Sequence, residues 1–102
     1  KKMTMKAHLH LIDYALSKGC QITVGYMGEI DLHKSTVRSS IVQAAEACDA
    51  TSLHLFDSGD TYLGFALVVN DNTQEHEEYI ADHSLSAFLN EWSINYEQGV
   101  RI

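Results

Sequence analysis

The densest run of side chains able to do chemistry is Glu75-His76-Glu77-Glu78-Tyr79, followed by Asp82-His83. Carboxylate oxygens and imidazole nitrogens together suit a divalent ion such as Mn, Zn or Mg. The spacing matches no metal motif, however. An EF-hand loop needs alternating acids and a glycine at its sixth position, and the stretch beginning Asn70-Asp71-Asn72-Thr73 lacks that glycine. The segment reads as a solvated acidic loop, and no metal or other cofactor is expected.

The remaining candidates are weaker. His8 and His10 are two apart on an expected helix and so point to different sides, whereas a chelating pair needs a spacing of three or four. His33 and His54 fall on expected strands. No Gly-x-Ser-x-Gly elbow, cysteine-nucleophile signature or glycine-rich phosphate loop occurs. Ser58, between Asp57 and Gly59, is turn chemistry. A Ser-His-Asp arrangement is spatial and leaves no local trace. No catalytic residue is therefore assigned, and the expectation is a chain that is not an enzyme. Tyr79 differs from the other aromatics because it stands beside Glu77 and Glu78. An aromatic supplies contact area while acids steer a partner in, which makes it a candidate contact residue.

Charge distribution gives that segment its context. From Ser39 to Val100, 62 residues contain no lysine or arginine and carry eleven acids. An average composition would place about eight bases there. Net charge is −7, divided as +1 over residues 1–51 and −8 over the rest. Such a field attracts basic partners. It argues against direct binding to nucleic acid, which requires lysine and arginine to neutralise phosphates. No apolar run approaches the roughly 18 residues of a membrane span. Cys20 and Cys48 are the only cysteines, and this usage suits a reducing cytoplasm. Met3 is the expected native start, with Lys1 and Lys2 extraneous to it.

The elements that must carry these residues follow from periodicity. Met5, Leu9, Ile12 and Leu16 recur at helical spacing, and Lys18-Gly19 stops a first helix over 4–18. Alternation over Gln21-Ile22-Thr23-Val24-Gly25-Tyr26 gives a strand, Met27-Gly28-Glu29 a turn, and Ile30 to Lys34 a return strand. Ser35 or Thr36 caps a second helix bearing Val37, Ile41, Ala44, Ala45 and Cys48 on one face and ending near Asp49. Ser52 to Asp57 is a third strand, Ser58-Gly59-Asp60 a hairpin turn, and Thr61 to Asn70 a fourth. Both faces of this last strand are nonpolar, which predicts a central position or a face covered by a partner. After the acidic loop, Ser84 or Asp82 caps a third helix with an apolar stripe of Leu85, Phe88, Leu89, Trp92 and Tyr96. The two αββ stretches align at an offset near 30, as any two amphipathic units of equal length do. The expectation is one α+β domain over 1–102, of order α-β-β-α-β-β-α, with an antiparallel four-stranded sheet and helices packed on one face.

Four segments give the chain a family look: Asp13-Tyr14-Ala15-Leu16-Ser17, Lys34-Ser35-Thr36, Gly64-Phe65-Ala66-Leu67-Val68-Val69, and Ile80-Ala81-Asp82 leading to Trp92. It resembles small acidic proteins encoded by bacteriophages and mobile elements. The resemblance carries over no catalytic residue. It implies host takeover or counter-defence, in which small acidic proteins bind host enzymes or mimic nucleic acid.

The leading expectation is a small cytoplasmic interaction module. Asp71, Glu75, Glu77, Glu78, Tyr79 and Asp82 would engage a basic surface of a host protein, one that itself binds nucleic acid. Two alternatives stand beside it. One is a small enzyme or ligand-binding domain with a His/carboxylate pocket. The other is a non-catalytic homodimer or larger homo-oligomer, joined through the second apolar face of the fourth strand.

Overall fold

The computed structural model describes residues 5–70 and 75–98. Its elements are α1 (Ala7–Ser17), β1 (Gln21–Tyr26), β2 (Glu29–Ser35), α2 (Arg38–Ala45), β3 (Ala50–Phe56), β4 (Tyr62–Val69), a 3-10 turn (His76–Tyr79), β5 (Ile80–His83) and α3 (Ala87–Glu97). All neighbouring strands run antiparallel in the order β2-β1-β3-β4-β5. The α+β class is as the sequence indicates, but the sheet has five strands rather than four. The extra strand, β5, is only four residues long and pairs with β4 at the sheet edge. It lies where the sequence suggests loop and helix cap, because a strand this short shows almost no alternation.

Two helix starts also differ from expectation. α3 is capped by Ser86, whose hydroxyl accepts from the Leu89 N–H at 3.4 Å, rather than by Ser84 or Asp82. Leu85 therefore precedes the helix and is exposed, outside the apolar stripe. α2 begins at Arg38 and stops at Ala45. Ser35 instead accepts from the Val37 N–H, closing the turn ahead of it. Cys20 and Cys48 are free thiols.

The core lies between one face of the sheet and the helices. Ile22 and Val24 of β1, Leu53 and Leu55 of β3, and Ala66 and Val68 of β4 meet Leu11, Ile12 and Ala15 of α1, Ile41 of α2, and Leu89 and Trp92 of α3. Strand β3 alternates strictly between buried and half-buried positions. That alternation marks a sheet with one face covered.

The β1–β2 hairpin turns through Met27 and Gly28, both at positive φ (51° and 83°). Such a primed turn matches the twist of its strands. The second backbone device is in β4. Leu55 pairs with Gly64, whereas the next residue, Phe56, pairs with Tyr62. Leu63 is thus an extra residue in a β-bulge, and Gly64 beside it has φ 134°. The bulge reverses the parity of the strand. Leu63 turns onto the core, while Tyr62 comes out on the same side as Phe65 and Leu67.

Candidate functional site

The face of the sheet opposite the helices has no layer over it among the described residues. Register fixes what it displays. Thr23 stands opposite His54, Gly25 opposite Ser52, His54 opposite Phe65, Ser52 opposite Leu67, Phe56 opposite Tyr62, and Leu67 opposite Asp82. Residues directly opposite share a face. The bulge therefore assembles one aromatic cluster from two strands. Ring centroids are 5.3 Å apart for Phe56–Tyr62, 6.1 Å for His54–Tyr62 and 6.3 Å for His54–Phe65. These separations fall in the range of favourable ring contacts. Tyr62 is nevertheless 51% exposed, and Phe65 and Leu67 are each 37% exposed. Phe65 and Leu67 are flanked by β3 on one side and by Ser84 and Asp82 on the other, so their exposure comes from the missing layer and not from a sheet edge, whereas Tyr62 lies beyond the end of β5.

His54 is the polar centre of this face. Its Nδ1 lies 3.2 Å from the Tyr62 hydroxyl and its Nε2 lies 3.1 Å from Ser52 Oγ. Burial among the rings lowers the His54 pKa from its ordinary 6.5 and raises that of the Tyr62 phenol. Both side chains are therefore neutral near pH 7. Beside them opens a shallow cavity of about 330 Å³, whose lining includes Thr23, Gly25, Ile30, Ser52, His54 and Phe56. Charge sits around the margin. Glu29 reaches the cavity, Asp82 flanks Leu67, and Asp60 pairs with Lys34 Nζ at 3.3 Å. A hydrogen bond from Gln21, then one from Lys34, holds the Asp60 carboxyl below its usual pKa. Lys34 Nζ also lies 4.7 Å from the Phe56 ring centre, a cation–π contact. The result is an apolar centre with a polar, mainly acidic margin, the usual anatomy of a protein-binding patch.

The acidic segment singled out from the sequence is distributed otherwise. Asp71 and the side chain of Glu77 lie outside the described residues. Glu75 and Glu78 form a capping box on the 3-10 turn, with the Glu75 N–H donating to Glu78 Oε1 at 3.1 Å. Asp82 accepts from the His83 N–H at 2.9 Å and faces the open side of the sheet. Tyr79 corrects the sequence reading most sharply. It is only 4% exposed, stacked on His8 at 5.3 Å with Lys6 Nζ 4.8 Å from its ring centre. A ring buried beneath α1 offers no contact area to a partner. The capped turn that carries it lies against α1, and β5 follows directly and pairs with β4.

His8 and His10 likewise serve packing. His8 is wholly buried, with Nε2 2.6 Å from Glu46 Oε2 and Nδ1 without a hydrogen-bond partner among the described residues. Desolvation lowers its pKa, although Glu46 pulls the other way. His10 Nδ1 accepts from Trp92 Nε1 at 3.1 Å. Among the described residues, no group of three or more His, Cys, Asp or Glu side chains could hold a metal ion, and no helix is long and apolar enough to cross a membrane.

Ser52, His54, Phe56 and Tyr62 escaped the sequence reading as a site. The available signal was the second nonpolar face of β4, which pointed to a covered surface without naming the residues across from it. Comparison with protein-family models, with curated proteins and with solved structures returns no match.

Proposed function

We propose that this chain is a protein-interaction module that docks a basic partner protein on the open face of its sheet. The observation that carries the reading is the exposure of Phe65 and Leu67 in the interior of the sheet, continued by Tyr62 beyond the end of β5. Contiguous apolar surface of this kind marks an interaction site, whereas isolated exposed side chains do not. Charge selects the occupant. A second copy would bring another net charge of −7 against the same acidic margin, and like-charge juxtaposition disfavours that pairing. A basic protein gains steering from the field and apolar contact at the centre. The resemblance to phage and mobile-element proteins supplies a setting in which that partner is a host protein. The acids at Glu75 and Glu78 then contribute to steering, and the buried Tyr79 does not take part in contact.

The test is a titration against a basic protein captured from lysate and then purified. Phe65→Ser and Leu67→Ser together are expected to weaken binding at least ten-fold, while raised salt weakens it further by screening. Far-UV circular dichroism of the double variant verifies an intact fold. Unchanged binding by the folded variant, salt-independent binding, or a concentration-dependent homodimer in sedimentation runs would each overturn the reading.

A further inference from the structure

The cavity at the end of the open face has a chemistry of its own. Gly25 has no positive φ, so its backbone does not require glycine. Glycine inside a strand is otherwise unfavourable, and it often marks a place where another group comes close. A Cβ at this position would stand 3.2 Å from Ser52 Oγ and 3.2 Å from the Glu29 carbonyl oxygen. Leaving out the side chain opens the approach to the Ser52 hydroxyl. The walls around that approach are largely apolar, from Ile30, Tyr26 and Phe56. At about 330 Å³, the space is at the small end of ligand sites, which run to roughly 300–1,000 Å³.

The hydrogen bonds of Ser52 and His54, beside the Glu29 and His33 that also line the cavity, indicate which polar group fits next to Gly25. His54 has two neutral tautomers. In the first, Nδ1–H donates to the Tyr62 oxygen and Nε2 accepts the Ser52 proton. In the second, the Tyr62 hydroxyl donates to Nδ1, Nε2–H donates to Ser52 Oγ, and the Ser52 proton turns to the Gly25 carbonyl, 3.4 Å away. Both His54 nitrogens are used in either case, and so is the Ser52 proton. Both cases also leave a lone pair free on Ser52 Oγ. On the adjacent strand, Thr23 Oγ1 already accepts from the Lys34 N–H at 2.9 Å. In either tautomer Ser52 Oγ can therefore accept one more hydrogen bond.

We infer that this cavity seats an aromatic side chain bearing a hydrogen-bond donor, a tyrosine or tryptophan of the docked partner, which donates to Ser52 Oγ beside Gly25. The identity of the molecule carrying the ring rests on the docking reading above. The ring's chemistry does not, and small probes test it directly. A flat apolar body meets Phe56 and Ile30, and aromatic anchors in pockets are what dominate many protein interfaces.

The experiment is a nuclear magnetic resonance titration of the full chain, ¹⁵N-labelled, with p-cresol and with its methyl ether, 4-methylanisole. The two probes have nearly the same shape, and only the first can donate. p-Cresol should shift the amides of Gly25, Ser52 and His54 and bind roughly ten-fold more tightly than the ether, because only the cresol hydroxyl can donate to the free lone pair of Ser52 Oγ. Ser52→Ala should remove the preference while the ether still binds. Gly25→Val should fill the space and remove both. Equal affinity of the two probes, no shifts with either, or shifts that persist in folded Gly25→Val would overturn the inference. If the cresol preference holds while Phe65→Ser/Leu67→Ser leaves partner binding unchanged, the cavity chemistry stands and the docking reading falls.

Discussion

Replacing Gly64 by alanine tests the device on which the open face depends. Two separable penalties follow from its surroundings. Its φ of 134° lies where side-chain-bearing residues are strained, at about 1–3 kcal/mol. The new Cβ would also collide with Ser84 Oγ and stand 2.7 Å from Ser86 Oγ and 2.9 Å from Leu89 Cδ1. The Leu89 side chain has some freedom to shift. Ser84 has little, because its hydroxyl accepts from the Phe65 N–H at 3.0 Å and its own N–H donates to the Phe65 carbonyl at 2.9 Å. Overpacking of this kind costs typically 1–3 kcal/mol. Together the two come to about 2–6 kcal/mol, a large share of the roughly 5–15 kcal/mol that holds a domain folded. For a domain of this size each kcal/mol moves Tm by about 4–5 °C, so Tm should fall by about 8–30 °C. Gly28→Ala is the internal control. Its φ of 83° imposes strain, but nothing lies within 4 Å of the added atom. It should cost only about 1 kcal/mol, or roughly 5 °C. Thermal melts followed by circular dichroism, with urea titrations alongside, compare the two. If Gly64→Ala costs no more than Gly28→Ala, neither the bulge nor the close approach of α3 to β4 is as described.

Two further outcomes are expected. The His8 pKa is held below its unfolded value of 6.5, so the stability tied to its neutral form is complete above that pH. It is lost as pH falls below 6.5 through the folded pKa. Tm should therefore drop on acidification over that range, and His8→Phe should flatten the slope; an equally steep slope in that variant would exclude His8 as its source. Tyr79→Ala should cost about 3 kcal/mol in urea unfolding, because it removes a buried ring stacked on His8, whereas a loss within about 0.5 kcal/mol would fit a surface ring instead.

Much of the fold can be read along the chain. Leu11, Ile12 and Ala15 recur at a helical period, and Ile22 and Val24 or Leu53 and Leu55 at a strand period, so these segments declare their form locally. The second apolar face of β4 was equally plain, and it is the face that now stands open. The fifth strand was not legible, because Ile80–His83 is too short for alternation to show and owes its form to pairing with β4. Tyr79 misled because neighbouring acids suggest solvent, yet the turn that carries them folds its tyrosine beneath α1.

By itself the sequence determined the class of fold and the strong net charge and its sign. These depend on composition and on patterns spanning a few residues. The site was decided by tertiary structure. Tyr62 and Phe65 differ in parity, and an unbroken strand would send them to opposite faces. Only the bulge at Leu63, made possible by Gly64, brings both beside His54. Likewise Gly25 meets Ser52 across β1 and β3, 27 residues apart in the chain. One-dimensional spacing records which residues are present, but contacts between strands depend on register, and register belongs to the folded sheet.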